Sequence, residues 1–295
     1  MTDETPSLRK IEWVAPSRDL SDFVHSFFIS RSEEGPIEDM MPSYSAQIFI
    51  FVHGKGQIHY PDREPGRSGN ITLAAPMMRA APMMLEGPCL TIGASLTPSG
   101  WAAISGKPAD KVHDCTFEAD TVIEAEKLRP LEAAIAKCRE GSIDARALCT
   151  ELENTVRSVA LEPGRAPKDD HRKLLAAIEA WLASEFNPPV QALYDSVELG
   201  PRQVQRVCRR YYGVPPAQLL KRYRAIRAAM LLAHEDLPAE YRDEVLGAYF
   251  DQAHLIHDIR RYTGRTPKRL PNEPLAQDLL NPDGHGIEGK KLRDI

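Results

Sequence analysis

The chain has 295 residues, of which 42% are hydrophobic and 27% charged, with a formal net charge of −5. This composition is ordinary for a globular protein, and the length allows two domains that each bury a core. The N-terminal segment is acidic and polar, which argues against a signal peptide. The apolar runs are too short to span a bilayer, so we expect a cytoplasmic protein without a membrane segment. The five cysteines are odd in number and form no CxxC pair, which predicts reduced, mostly buried thiols.

The first half of the sequence is typical of β-structure. The apolar run "IFIFV" (48–52) predicts a strand that is buried on both faces, and Gly54 and Gly56 predict a turn after it. The segment "CLTIGASL" (89–96) alternates apolar residues with a period of two, which predicts a half-buried strand. Many short strands with turn signals between them indicate a sandwich or small barrel.

Helical periodicity begins near residue 121 and predicts a helical hairpin that closes the first domain. The segment "LEPGRAPKDD" (161–170) is a polar linker candidate, and every later element up to Pro271 is predicted to be helical. The remaining residues are polar and without pattern, which predicts a disordered tail. We therefore expect a β-rich domain at 1–165, a helical domain at 166–271 and a polar tail at 272–295.

The charges are unevenly distributed along the chain. Residues 171–271 have a balance of +5, whereas the remainder has a balance of −10. Between Leu199 and His234 there are eight basic residues and no acidic residue. This asymmetry predicts that the helical domain faces a polyanion.

An internal repeat lies within the basic half. The segment "RRYYGVPP" (209–216) returns as "RRYTGRTP" (260–267), 51 residues later. Each copy follows an amphipathic helix and ends in a glycine suited to a left-handed C-cap, with proline shortly after. The repeat predicts two similar modules joined by one long helix at about 216–233.

The helix at 201–212 carries the strongest functional signal. With Val204, Val207, Cys208 and Tyr211 as its buried stripe, its opposite face presents Arg202, Gln203, Gln205, Arg206, Arg209 and Arg210. Arginine and glutamine can make bidentate contacts to guanine and adenine in a major groove. The preceding "VQALYDSVELG" indicates a short helix and a turn, so the segment predicts a helix-turn-helix. The DNA phosphates would repel a carboxylate on such a face, which explains the absence of acidic residues. The alternative interpretation is a basic face that is only solvated and binds nothing.

The segment "LYDSVELGPRQVQRVCRRYYGVPPAQLLKRYRAIRAAMLL" resembles the first helix-turn-helix and linker helix of the AraC/XylS-type transcription regulators. The segment "AYFDQAHLIHDIRRYTGRTPKRL" resembles their second. The resemblance implies recognition helices at about 201–212 and 252–262 in successive major grooves. The DNA-contacting residues that it implies, or that lie on the same basic faces, are Arg202, Gln203, Arg206, Arg209 and Arg210 in the first module and Gln252, Ala253, His257 and Arg260 in the second.

Three residues depart from the pattern of the family. Ala248 replaces the usual glycine, His257 replaces the usual arginine, and Ile256 is apolar. They predict a second module that binds DNA more weakly or reads different bases. We also expect Asp251 to be a helix N-cap and His254 to be a partly buried structural residue.

The first half is similar to the N-terminal domain of a subgroup of these regulators through "MPSYSAQIFIFVHGKG", "APMM" and "LTIGASLTPSGWAAISGKP". The similarity implies a compact β-domain that senses a small molecule or mediates dimerisation. We thus expect an α+β two-domain protein with a small cupin-like β-barrel or sandwich, a helical hairpin and an all-α double helix-turn-helix domain. The expected function is a sequence-specific DNA-binding transcription regulator without a cofactor. Its expected partners are double-stranded DNA, a small-molecule effector, a second copy of the chain and, if it is an activator, RNA polymerase.

Two other classes of function fit parts of the sequence. A non-catalytic interaction module would use the basic helix on an acidic protein. A cupin-like enzyme would need a catalytic group, for which His113, Asp114, Cys115 and Cys89 are candidates. Adjacent side chains in an extended segment point to opposite faces, so we expect no catalytic residue and no enzyme.

Metal and effector sites have weaker signals in the first half. His53 and His59 lack the spacing of metal ligands, so we expect no metal. The methionines at 77, 78, 83 and 84 either line an apolar effector pocket or fill the core.

Overall fold

A computed structural model describes residues 10–33, 36–61, 66–234, 237–272 and 279–280. Its strands are β1 (Lys10–Val14), β2 (Val24–Ser32), β3 (Ile37–Met41), β4 (Gln47–Ile58), β5 (Gly66–Arg67), β6 (Thr72–Ala74), β7 (Ala81–Leu96) and β8 (Thr116–Glu118). Its α-helices are α1 (Pro98–Ser105), α2 (Ala125–Arg139), α3 (Ala145–Ala160), α4 (Asp169–Ser184), α5 (Val190–Asp195), α6 (Pro201–Tyr212), α7 (Pro216–Leu232), α8 (Ala239–Gly247) and α9 (Gln252–Thr263).

The strands form one antiparallel sheet in the order β1-β2-β7-β4-β6-β8, with β3 beside β7 and β5 beside β4. Within the described residues the sheet begins at β1 and ends at β8 without closing. The small β-domain expected from the sequence is therefore confirmed, as an open sheet with two long central strands. The hairpin of α2 and α3 covers one face of this sheet, also as expected.

The turn predicted at Gly54 and Gly56 is wrong. Strand β4 continues through both glycines, and its pairing with β7 shifts register on either side of His53. Gly54 has φ +77°, a left-handed conformation that glycine adopts without strain. The glycines therefore mark a bulged, bent part of one long strand instead of its end.

The part of β7 at residues 89–96 is not half-buried, contrary to its alternating sequence. Its central position places Ile92, Ala94 and Leu96 against the hairpin, while Leu85 packs with Phe51 on the other face. The polar residues between them are also buried. A central strand covered on both faces loses the solvent-exposed side that alternation implies.

The helical half has two separate cores, one for each predicted module. Leu219 and Tyr223 of α7 pack into the first core, and Ile226 and Met230 pack into the second. Helix α7 is thus shared by both modules, which confirms the two-module organisation. The helices α6 and α9 both end at glycines with positive φ, as the repeat predicts.

The predicted disordered tail contains at least two packed residues. Leu279 and Leu280 are each 2% exposed. Leu279 packs in a cluster with Tyr44 of the β-domain, and Leu280 packs in the core of the second module. The prediction is wrong for these two residues, and the rest of 273–295 lies outside the described residues.

Candidate nucleic-acid interface

Helix α6 follows the short helix α5 and a turn, and it begins at Pro201, a residue suited to the first turn of a helix. Its predicted buried stripe is confirmed, because Val204, Val207, Cys208 and Tyr211 are all buried. The opposite face is exposed at Arg202, Gln203, Arg206, Arg209 and Arg210. Helix α6 therefore presents four guanidinium groups to solvent on the side away from the core.

Helix α9 repeats this arrangement in the second module. Leu255, Ile259 and Tyr262 are buried, which gives α9 the amphipathic character that the repeat predicts. Gln252, Ala253, His257 and Arg260 are all exposed. The structure thus places both sets of predicted DNA-contacting residues on exposed faces of the second helix of a helix-turn-helix.

The start of α9 is fixed by a side-chain cap. The carboxylate of Asp251 accepts a hydrogen bond of 2.8 Å from the backbone N–H of His254, which confirms the predicted N-cap. This hydrogen bond lowers the pKa of the Asp251 carboxyl below its usual value. Since base contacts come from the first turns of a recognition helix, the cap positions the residues proposed to contact DNA.

Asp251→Ala is expected to fray the first turn of α9, because it leaves a helix N–H without its acceptor. The melting temperature and the affinity for duplex DNA should both fall, while Asp251→Asn should largely restore them. Since the folded-state pKa is lowered, the carboxylate stabilises the cap above the unfolded pKa, and this contribution is lost as pH falls through the folded pKa. Thermal melts of both variants between pH 3 and pH 7 would check this. Equal melts for the alanine variant and the original chain would contradict it.

The sequence predicted a partly buried His254, and this prediction is wrong. Its side chain is 66% exposed, and Nδ1 lies 3.0 Å from an oxygen of Asp251. Its ring also meets the ring of Phe250 edge-on at 6.2 Å. His254 therefore lies on the outer surface of the second module.

Three arginines of α7 do not belong to the basic surface. Arg224 donates to the Asp258 carboxylate at 3.3 Å and to the carbonyl of Ala248 at 3.1 Å, and it stacks over Tyr249 at 4.2 Å. Arg227, 4% exposed, stacks over Phe186 at 4.6 Å. These two side chains join α7 to α9 and to the segment after α4.

Arg222 is also buried, at 6% exposure, although it belongs to the acid-free stretch. It lines a small cavity with Tyr211 and Tyr212 of α6 and Ser45 of the β-domain. Only Lys221 among the four basic residues of α7 is exposed. The acid-free stretch therefore serves two purposes, since α6 displays its charges and α7 buries most of its own.

The β-domain contacts both modules at equivalent positions of the repeat. The backbone N–H of Ala109 donates to the carbonyl of Arg210 at 2.7 Å, and that of Ala80 donates to the carbonyl of Arg261 at 2.9 Å. Arg210 and Arg261 are 51 residues apart, the period of the repeat. Each bond therefore satisfies a carbonyl in the last turn of a recognition helix.

The two C-cap glycines are also matched in their surroundings. Gly213 lies against the side chain of Met78, and Gly264 lies against that of Met40. A side chain at either glycine would collide with a methionine of the β-domain. On the second module the contact is reinforced by Arg265, which is 3% exposed and pairs with the Asp39 carboxylate.

His113 and Asp114, two of the candidate catalytic residues, contact each other. His113 Nδ1 lies 3.0 Å from an Asp114 oxygen, so these neighbours do meet, contrary to the argument from an extended segment. The backbone is not extended at this point, since Asp114 has φ +48°. Asp114 also accepts from the N–H of Met78 at 2.8 Å, which gives the pair a structural task.

The cysteines are free thiols, and four of the five are buried. The Cys89 thiol donates to the backbone carbonyl of Glu86 at 3.2 Å. Burial raises the pKa of the Cys149 thiol to about 11, which disfavours its thiolate at neutral pH. Across the described parts of the chain, no group of three His, Cys, Asp or Glu side chains is placed to hold a metal ion.

The methionines at 77, 78, 83 and 84 do not form one pocket. Met83 lines an apolar cavity of about 60 Å³ together with Phe51 and Leu85. Met77 packs beside Tyr44 in a small core cluster, and Met78 lies against the first module. They are mainly packing residues.

Comparison with known proteins identifies the class of the helical domain. Residues 193–272 match the family described as "Helix-turn-helix domain". This part of the chain is an AraC-type helix-turn-helix domain, and it includes both recognition helices. The resemblance inferred from sequence motifs is thus confirmed for this domain.

Solved structures are similar to the chain over most of its length. ToxT from Vibrio cholerae O395 has 9% identity and a TM-score of 0.45, covering 88% of this chain and 98% of that one. Unsaturated fatty acid bound ToxT from Vibrio cholerae strain SCE256 has 8% identity and a TM-score of 0.45, covering 82% and 93%. The AraC-like transcriptional activator CuxR has 12% identity and a TM-score of 0.29, covering 83% and 88%. No curated protein matches the sequence significantly.

Among the described residues, no helix is both long and apolar enough to cross a membrane.

Proposed function

We propose that the protein is a sequence-specific DNA-binding transcription regulator whose helices α6 and α9 enter successive major grooves. The observation that supports this most is the exposed face of α6, with Arg202, Gln203 and Arg206 beside a confirmed buried stripe. An α-helix fits the major groove, and these side chains match the acceptors and donors of guanine and adenine edges. Arg209, Arg210 and Arg260 add positive charge near the phosphate backbone.

The second module contributes Gln252, Ala253 and His257 to the proposed interface. This arrangement requires no catalytic residue, so we propose that the protein is not an enzyme. We also propose that the protein is cytoplasmic. A second copy of the chain and RNA polymerase are proposed partners.

We further propose that the β-domain holds the two modules in a fixed relation. The two modules have separate cores, and the matched bonds from Ala109 and Ala80 reach one module each. We propose that the β-domain and the helical domain meet near residue 165. The packing of Leu280 in the second core favours moving the end of the helical domain from residue 271 to at least residue 280.

A small-molecule effector would have a suitable place between the two parts of the chain. A groove of about 1000 Å³ is lined by Phe23 and Val24 of the β-domain, Leu161 of the linker, and Lys173 and Leu175 of α4. Ligand pockets are usually 300–1,000 Å³. A molecule in this groove would contact both domains, whereas the 60 Å³ cavity of the sheet holds little more than water.

Binding of the full chain to duplex DNA is expected to depend steeply on salt. If about six to eight phosphates are neutralised, the logarithm of affinity should fall with the logarithm of salt at a slope near −5 to −7. The site would first be selected from a random duplex pool and then titrated at several salt concentrations. An acidic protein partner would give no slope tied to counterion release from DNA. Failure to retain any duplex in the selection would refute the proposed function.

A further inference from the structure

The second module exposes apolar side chains on the surface proposed to contact DNA. Phe250 is 93% exposed and Ile256 is 37% exposed. Phe250 directly precedes the N-cap of α9, and Ile256 lies one turn after Gln252. Ala253, between them, is exposed as well. Phe250, Ala253 and Ile256 are called the α9 apolar patch below.

The repeat allows each residue of this patch to be compared with its equivalent in the first module. Ala253 takes the position of Arg202, and Ile256 takes the position of Gln205. Phe250 takes the position of Leu199, which is partly buried against the first core, whereas Phe250 is not. The same helical surface therefore carries an exposed guanidinium group on α6, beside a half-buried amide that donates to the Tyr194 hydroxyl, and apolar groups on α9.

These two surfaces suit different base pairs. Guanine offers two acceptors, N7 and O6, to an arginine, whereas thymine offers a C5-methyl group to an apolar side chain. Gln252, beside the patch, can make a bidentate contact with adenine, the partner of thymine. The Ile256 side chain has no polar atom, so it would leave the polar edge of a G·C pair without a protein partner.

We propose that α9 reads thymine methyl groups through the α9 apolar patch, so that the operator combines a guanine-bearing half-site under α6 with a thymine-bearing half-site under α9. The proposal rests on the proposed function and adds the class of sequence that the second module recognises. It assigns a role in specificity to Phe250 and Ile256, which are not among the DNA-contacting residues expected from the sequence.

The position of the patch favours DNA over a protein as its occupant. The patch is continuous with Gln252, His257 and Arg260, the exposed residues proposed to meet the second groove. A protein that covered Phe250 and Ile256 would keep the start of α9 out of that groove. The basic neighbours Arg260 and Arg261 also suit a polyanion better than a neutral protein surface.

The test removes single methyl groups from the DNA. Each thymine of the selected operator would be replaced in turn by deoxyuridine, which lacks only the C5-methyl, and the full chain would be titrated against each duplex. Binding should weaken about four-fold for each contacted methyl, from the free energy of burying one methylene-sized group. The effect should be confined to one half-site.

Protein variants identify the side chain that senses each methyl. In Ile256→Ala, at least one thymine should lose its effect, because the shorter side chain no longer reaches the methyl group. Leu246→Ala is the matched control, since Leu246 is an exposed apolar residue of the same module that lies on α8. This control should keep the full response to every deoxyuridine.

The possible outcomes separate the two levels of the proposal. If the chain binds its operator and every deoxyuridine duplex binds equally well, the inference is overturned while the proposed function stands. If deoxyuridine effects persist unchanged in Ile256→Ala and Phe250→Ala, the methyl groups act through DNA shape and the inference is likewise overturned. If no duplex is selected, the proposed function fails first. A change of oligomeric state in Phe250→Ser, with no methyl effect, would assign the patch to a protein partner.

Discussion

Arg206→Ala is expected to weaken binding to the selected operator by about 1–3 kcal/mol and to flatten the preference at one base pair. Arg206 is exposed on α6, one turn after Arg202 and on the face opposite the buried Val204 and Val207. At this position its guanidinium can reach both acceptors of a guanine in the major groove. The affinity for a scrambled duplex should change much less, because that duplex lacks the base that the side chain reads.

The measurement is a titration of the full chain against operator and scrambled duplexes at several salt concentrations. Arg129→Ala is the matched control, since Arg129 is an exposed helical arginine of the β-domain half. It should leave both affinities unchanged. If Arg206→Ala weakens both duplexes equally and lowers the salt slope by about one, Arg206 contacts a phosphate and the proposed register of α6 is wrong.

Asp258→Ala is expected to destabilise the second module by about 3 kcal/mol or more, since it leaves a largely buried arginine without its carboxylate. Arg224 and Asp258 have side chains that are 15% and 10% exposed and lie 3.3 Å apart. The pair connects α7 to α9, so its loss should also loosen the recognition helix. Denaturant unfolding would measure the change in the free energy of unfolding.

Two further variants isolate the effect of the pair. Asp243→Ala removes an exposed carboxylate of the same module and should change stability little. Arg224→Met combined with Asp258→Ala removes both charges and should recover part of the lost stability. A single Asp258→Ala variant as stable as Asp243→Ala would show that the pair has no structural role.

The helices of the DNA-binding half were predictable because their signals are local. The apolar spacing of Val204, Val207 and Tyr211 showed which face of α6 is buried. The glycines at 213 and 264 marked the C-terminal ends of α6 and α9. The direction of the α7 arginines was not predictable in this way. The carboxylate that pairs with Arg224 lies 34 residues away, outside the acid-free stretch whose charges seemed uncompensated.

The β-domain showed a similar limit. A period of two in "CLTIGASL" indicates one covered face, but only the elements packed above and below the sheet decide whether the second face is covered too. The bonds from Ala80 and Ala109 to the modules use backbone groups. Such bonds leave no residue-type signature, so the sequence could not indicate the interface between the β-domain and the recognition helices.

The matched bonds at Arg210 and Arg261 attach the β-domain to both modules at the same position of the repeat. Ala80 lies just before β7, and Ala109 lies shortly after α1, which follows that strand. The two attachment points are therefore joined by a single continuous stretch of chain, and each contacts the last turn of a recognition helix. Successive major grooves on one side of the duplex are about 34 Å apart. A bend in β7 would change the distance between the two attachment points. A molecule that bends β7 could therefore alter operator binding without contacting either recognition helix.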